Sequence, residues 1–307
     1  MNVGIDITSI IYDRGVSRYT ANLVRSLIKS DLVDISLYGS SLRQFDMLST
    51  FAASMQQSVG RKRHTVQSHI ENHPPKIEKF LWNTLQRNRI KKSLPAIDVF
   101  HSWDWIQPPD KDLPLVSTIH DLALLKFPET AHPEIKAMHE RSWKILKERD
   151  AEIIAVSQST KHDIHELLGI PQHKIHVIYE ALPLETVQAS EELSEENYEA
   201  IKLQLQLTRP YILFVGTREP RKNLARLIEA WLPLSNEVEL IVAGEEGWDG
   251  VESKNVRFLG KVTPHQLSVL YGEAEVFAFP SLYEGFGLPV LEAFYYGTPV
   301  VTSNISS

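Results

Sequence analysis

The chain has no cysteine in its 307 residues. That excludes a disulfide scaffold and thiolate chemistry, and it fits a reducing, cytoplasmic setting. Long hydrophobic runs are also missing: YILFVG and AEVFAF are strand-length, far short of the ~18 residues that cross a bilayer. The opening residues, MNVGIDITSI, lack the basic region and apolar core of a secretion signal. Positive charge is in short supply, with 32 Lys and Arg against 39 Asp and Glu and a net charge of -7. This argues against nucleic acid as a partner. No HExxH or clustered His/Asp pattern points to a metal. Asp110-Lys111-Asp112 has the Asp-x-Asp spacing of some metal–nucleotide sites, but it lies in a proline-flanked loop before a strand and reads as a turn. There is no GxGxxG, so NAD binding has little support.

What is present is the composition of a soluble globular protein, 43% hydrophobic and 23% charged, long enough for two domains. Its charge is uneven. Between Arg61 and Lys92, nine Lys and Arg stand against two acids, Glu71 and Glu78, with Phe80, Leu81, Trp82 and Leu85 among them. Such a segment fits an anionic membrane surface or a phospholipid acceptor, and equally an ordinary packed helix. Between Glu180 and Glu199 there are seven acids and no Lys or Arg, the composition of a solvated connector. The expected organisation is an N-terminal domain over 1–185, an acidic linker over 186–205 and a C-terminal domain over 206–307.

Both halves alternate apolar strands with amphipathic helices, the grammar of parallel α/β sheets. In the first half the pattern predicts strands over 3–7, 33–38, 97–101, 115–120 and 152–156. Helices are predicted over 16–28 and 134–149, and a third runs from the cap-like Ser157 to Leu168, ended by Gly169. Residues 40–75 have no clean period. In the second half, strands over 211–215, 238–243, 256–259, 275–279 and 298–301 alternate with helices over 223–231, 264–271 and 286–296. Ligands of doubly wound sheets sit beyond the carboxyl ends of the strands.

Four stretches at such ends carry candidate chemistry. In FVGTREPRKNL, Gly216 lets the chain leave a strand tightly, and Arg218, Arg221 and Lys222 precede a helix. Cations there suit a diphosphate, or form a solvated basic loop. In SLYEGFGLPVLEA, Glu284 and Glu292 flank a turn made by Gly285, Phe286, Gly287 and Leu288, with Pro289 in the first helical turn. A ligand with a central phosphate and hydroxyl-rich ends would fit, as nucleotide sugars do; the plainer reading is a turn with two surface glutamates. His101 in FHSWDW and His120 in STIHDL end apolar strands, where a histidine donates to a sugar hydroxyl or stays bonded in the core. Asp13-Arg14-Gly15-Val16-Ser17-Arg18 opens a helix at Gly15 that could receive a phosphate.

In this order and spacing the motifs resemble the retaining glycosyltransferases of family 4, with the GT-B fold, and especially bacterial mannosyltransferases of O-antigen and capsule assembly. The resemblance runs from VGIDITSI and SRYTANL through VFHSWDW, STIHDL, IIAVSQSTKHDI and FVGTREPRKNL to SLYEGFGLPVLEAFYYGTPVVTSN. It implies an α/β protein of two Rossmann-like doubly wound domains facing a cleft. Relatives continue for roughly another half-domain, so the second domain is expected to be incomplete. The resemblance also implies that Arg221 and Lys222 hold the donor diphosphate and that Glu284 contacts the transferred sugar. Glu292 would contact the ribose, the backbone of Gly285–Leu288 would take phosphate or sugar oxygens, and His120 would contact the donor sugar from the other domain. Gly15 would let the first loop approach the diphosphate. Three positions depart from the pattern: Thr217 stands where an arginine is usual, which leaves Arg218 and Arg221 as alternatives, Ser17 replaces a glycine, and so does Glu180-Ala181.

The activity implied is hexose transfer with retained anomeric configuration and no bound metal or other cofactor. The donor would be a nucleotide sugar, GDP-mannose over UDP-sugars. The acceptor would be a glycan or polyprenyl-diphosphate-linked glycan, with peripheral contact at the inner membrane through 61–92. Two other classes stay open: another enzyme on this fold, an epimerase or phosphorylase, or a non-catalytic nucleotide-sugar-binding fragment.

Overall fold

The computed structural model describes residues 1–12, 15–60, 62–130, 133–248 and 250–307. The chain separates into two compact units. The first comprises Met1–Leu122 and Ala131–Ile178, the second Ala123–Thr130 and Tyr179–Ser307.

The first unit is built on a parallel sheet with β1 (Asn2–Asp6), β2 (Asp34–Ser40), β3 (Val66–Glu71), β4 (Val99–Trp103), β5 (Leu115–Ile119), β6 (Glu152–Ala155) and β7 (Ile175–Val177). Their order is β3-β2-β1-β4-β5-β6-β7. Helix Gly15–Ser30 covers one face, where Val24 and Ile28 pack with Ile5, Ile7, Ile35 and Leu37. The aperiodic 40–75 stretch contains helix Phe45–Ser58 and β3. Its helix buries Leu48, Ala52 and Met55, a spacing of four and three diluted by Ser, Thr and Gln on the remaining faces. The helix after Ser157 starts as expected, with Ser157 Oγ accepting from Thr160 N–H at 3.0 Å, and ends at Gly169 in the left-handed conformation.

The second unit has β8 (Tyr211–Val215), β9 (Glu239–Ala243), β10 (Arg257–Gly260), β11 (Val276–Phe279) and β12 (Val300–Thr302), parallel, in the order β10-β9-β8-β11-β12. Strand β8 alternates between two cores: Tyr211 and Leu213 pack on one face and Phe214 on the other, beside Leu224, Ile228 and Trp231 of helix Leu224–Trp231.

Two expectations need correction. The stretch expected as an acidic linker, 186–205, folds instead as helices Leu184–Glu191 and Glu195–Gln204 inside the second unit. Ser194 caps the second helix by accepting from Asn197 N–H, and Glu195 and Glu196 in its first turn oppose the helix dipole. Tyr198 and Ile201, three apart, reach the core with Leu205. Glu195, Glu196 and Glu199 are thus the exposed face of a docked helix. Likewise the helix expected from Phe286 begins at Leu288, because Gly287 has φ 99°, outside the helical region.

Candidate functional site

In each sheet the strand order reverses direction once, between β1 and β4 and between β8 and β11. Loops leaving two such strands diverge and leave a crevice at their carboxyl ends. In the second unit those loops carry the two best candidate motifs, Gly216–Asn223 after β8 and Ser281–Gly287 after β11.

The β8 loop is held closely. Gly216 N–H donates to Ala243 O at 2.9 Å. A Cβ at Gly244, φ 139°, would lie 2.1 Å from Gly216 O. Gly244→Ala is therefore expected to destabilise the protein by at least about 1–3 kcal/mol, whereas Gly15→Ala, whose Cβ would meet nothing within 4 Å, should leave stability near wild type. Urea titrations of the two variants check this. The turn Pro220–Lys222 then presents both cations. Asn223 Nδ2 donates to Pro280 O at 3.1 Å, and Leu282 N–H donates to Arg221 O at 2.8 Å, so the two loops are cross-tied.

That tie brings three expected site residues together. Lys222 Nζ donates to Glu284 Oε1 at 2.7 Å, and Arg221 Nη1 lies 3.2 Å from Glu284 Oε2. Arg221 also donates to Tyr283 O at 2.5 Å and pairs with Glu219 at 3.2 Å. Lys222 stands 4.9 Å from the centroid of the Phe279 ring. The Lys222 and Arg221 side chains are 12% exposed and that of Glu284 14%. Burial pushes the Glu284 carboxyl up, but Lys222 and Arg221 outweigh it and hold the group below the usual carboxylate range. A depressed folded pKa adds stability above the unfolded value and loses it as pH falls through the folded one. The melting-temperature gap between wild type and Glu284→Gln should therefore be full at neutral pH and shrink on acidification below the ordinary glutamate value of 4.5.

The remaining candidates make other contacts. Arg218 turns toward the next loop: Nη2 pairs with Glu246 at 3.1 Å, Nη1 donates to Val251 O at 3.2 Å, and the guanidinium lies 4.8 Å from the Phe258 ring centroid. There it lines a cavity of about 590 Å³ with Gly244, Glu246, Ser253, Lys254 and Phe258. Glu292 is buried in helix Leu288–Tyr295, accepting from Tyr271 OH at 3.1 Å and Thr186 Oγ1 at 3.3 Å. Gly285 is buried, and the Phe286 ring lies 6.2 Å from that of Tyr179. Gly15 and His120 belong to the first unit, where Tyr19 meets the His120 ring edge-on at 4.7 Å. Asp13 and Arg14 of that motif, and Arg61 of the basic segment, lie outside the described residues.

Other candidates have structural roles. His101 is buried beside Thr118 Oγ1 at 2.9 Å, and burial, with His120 adding to it, pushes its pKa down to about 4, so it is neutral at pH 7. Asp110 accepts from Ile90 N–H and Lys91 N–H, and Asp112 pairs with Arg89 and Lys91, which makes Asp-x-Asp a brace for the short helix Ile90–Ser93. The 244–258 cavity was missed by the motif reading. Its signal was Ala243-Gly244-Glu245-Glu246, a second case of an apolar strand followed by glycine and charge.

Comparison with known proteins fits this architecture. The model of "Glycosyltransferase Family 4" matches residues 14–186, and that of "Glycosyl transferases group 1" matches 196–307. O-antigen chain mannosyltransferase B of Escherichia coli is 28% identical across 95% of this chain and 79% of its own length. Serotype-specific mannosyltransferase WbdA of the same organism is 31% identical, over 65% of this chain but 26% of its own. Anabaena Alr3699/HepE, solved with UDP-glucose, superposes with a TM-score of 0.62 at 17% identity, covering 100% of this chain and 81% of that one. Two Rossmann-like domains on open parallel sheets are the GT-B fold, and the two family models make the chain a glycosyltransferase. More narrowly, the chain belongs to glycosyltransferase family 4.

Proposed function

We propose that this glycosyltransferase moves a hexose, mannose from GDP-mannose in the favoured case, to a glycan or polyprenyl-diphosphate-linked acceptor in cell-surface polysaccharide synthesis, with retention at the anomeric carbon. The observation that carries the reading is the Arg221–Glu284–Lys222 group at the point where the strand order of the second sheet reverses. Two cations suit a diphosphate, and a carboxylate between them suits the hydroxyls of the adjoining sugar. The cavity beside Arg218 has room for the nucleoside. The mannosyltransferase names of relatives support the sugar, and the UDP-glucose complex of HepE supports a nucleotide-sugar donor.

In this mechanism Arg221 and Lys222 stabilise charge that grows on the leaving diphosphate as the glycosidic bond breaks. The acceptor hydroxyl attacks from the same face, and its proton passes to the departing phosphate oxygen. No metal is required in this scheme, because the two cations supply the charge. Release of GDP from GDP-mannose, screened against UDP-sugars with product analysis, tests the reading; epimerised donor or a sugar phosphate as sole product would replace it.

We also propose peripheral membrane contact through 61–92. In the 75–84 helical stretch Glu78 and Trp82 are buried, while Ile77 (46%) and Phe80 (55%) are exposed next to Lys76. An apolar outward face among cations suits an anionic bilayer surface. Sedimentation with phosphatidylglycerol vesicles should drop severalfold in Ile77→Ser/Phe80→Ser; unchanged sedimentation would remove this surface. No helix among the described residues is long and apolar enough to cross a membrane.

A further inference from the structure

The eight residues Ala123–Thr130 belong to the second unit, although the chain on either side belongs to the first. They form a short helix, Ala123–Lys126, and a turn, Pro128–Thr130, with Phe127 between. A four-residue helix has no stability of its own, so its place is set by what it packs on. Two side chains of the segment settle on one residue. Lys126 Nζ lies 5.0 Å from the centroid of the Tyr283 ring, and the Phe127 ring lies 6.1 Å from it, tilted by 41°. Tyr283 is 3% exposed and directly precedes Glu284.

The backbone of the same residue is clamped from another direction. Tyr283 O accepts from Arg221 Nη1 at 2.5 Å, and the preceding Leu282 N–H donates to Arg221 O at 2.8 Å. Tyr283 is thus fixed by its ring to the strap and by its peptide to a cation of the candidate donor site. The carboxylate of the next residue meets Arg221 and Lys222. We propose that Lys126 and Phe127 are positioning residues for transfer: by holding Tyr283 they set where Glu284 stands between the two cations. This rests on the reading of that group as the donor site. A carboxylate displaced by about 1 Å loses up to about a hundredfold in rate while the cations still bind phosphate.

The test compares Phe127→Ala and Lys126→Met with wild type, using Phe127→Tyr as the conservative variant and Lys222→Ala as the control for the reading itself. GDP affinity is measured by calorimetry, release of GDP from GDP-mannose gives kcat and KM, and hydrogen exchange is followed in a peptide spanning 281–285. The expected result is faster exchange in that peptide and a kcat about tenfold lower, with GDP affinity no weaker than wild type, a melting temperature close to it, and recovery in Phe127→Tyr. Wild-type exchange and kcat in both variants, while Lys222→Ala loses GDP, would overturn the strap's role and leave the donor reading standing. Parallel loss of kcat, GDP affinity and melting temperature, without recovery in Phe127→Tyr, would also overturn it, leaving only a folding contact. Normal GDP binding by Lys222→Ala would overturn the donor reading and the proposal with it.

Discussion

Lys222→Ala is expected to lower turnover by about a hundredfold to a thousandfold, the usual cost of removing one preorganised donor from a developing anion. The two other cations of its own loop are already committed. Arg218 is engaged with Glu246, Val251 O and Phe258, and Arg221 has Glu219, Tyr283 O and Glu284 to satisfy. The lysine's surroundings strengthen its effect, since a largely buried ammonium acts through a lower dielectric than water. The turn itself should persist, because it is held through Asn223 and the backbone of Arg221, and the melting temperature should fall only by the share of the Glu284 pairing that Lys222 supplies. Steady-state rates and a melting curve measured together check both halves of the expectation. Turnover within about threefold of wild type would remove Lys222 from the mechanism.

Glu284→Gln should separate binding from transfer. In the free protein Glu284 is the counter-ion of both cations, so a diphosphate must compete with it. An uncharged glutamine removes that competition, and GDP should bind about tenfold more tightly, roughly the worth of one charge-assisted hydrogen bond. Transfer should nevertheless fall by about a hundredfold or more, because the amide is a poorer acceptor for sugar hydroxyls and carries no charge to oppose the positive anomeric carbon of the transition state. Tighter product binding with slower turnover is a pattern that misfolding cannot produce. Calorimetry with GDP and rates with GDP-mannose, on one preparation, check it; weakened GDP binding would mean that Glu284 supports the cations rather than competing with the ligand.

The parts of this site that were legible in the sequence are those written locally. An apolar strand, a glycine exit and cations before a helix are contiguous in FVGTREPRKNL, and the strand β8 and its turn follow directly. What links Lys222 to Glu284, 62 residues on, is the placement of β11 beside β8, and that depends on which strands pair rather than on any local period. Glu292 shows the same limit. Its eight-residue distance from Glu284 was visible, but its burial against Tyr271 and Thr186 is a tertiary fact. The acidic 180–199 stretch misled through composition: seven acids signal a solvated connector, yet Tyr198, Ile201 and Leu205 were enough to dock the helix. In 75–84 the amphipathic rule fails at Glu78, which His73 and Asn88 hold inside, at 3.0 and 3.2 Å, while Ile77 and Phe80 face out.

The central claim is that Arg221 and Lys222 hold a donor diphosphate, and affinity for GDP against guanosine tests it most directly. Both ligands carry the same base and sugar, so the difference isolates the diphosphate, and comparing wild type with Arg221→Ala/Lys222→Ala closes a cycle. The expected result is a gap of at least about tenfold in wild type that largely disappears in the double variant. An equal gap in both proteins would contradict the assignment and place the diphosphate elsewhere.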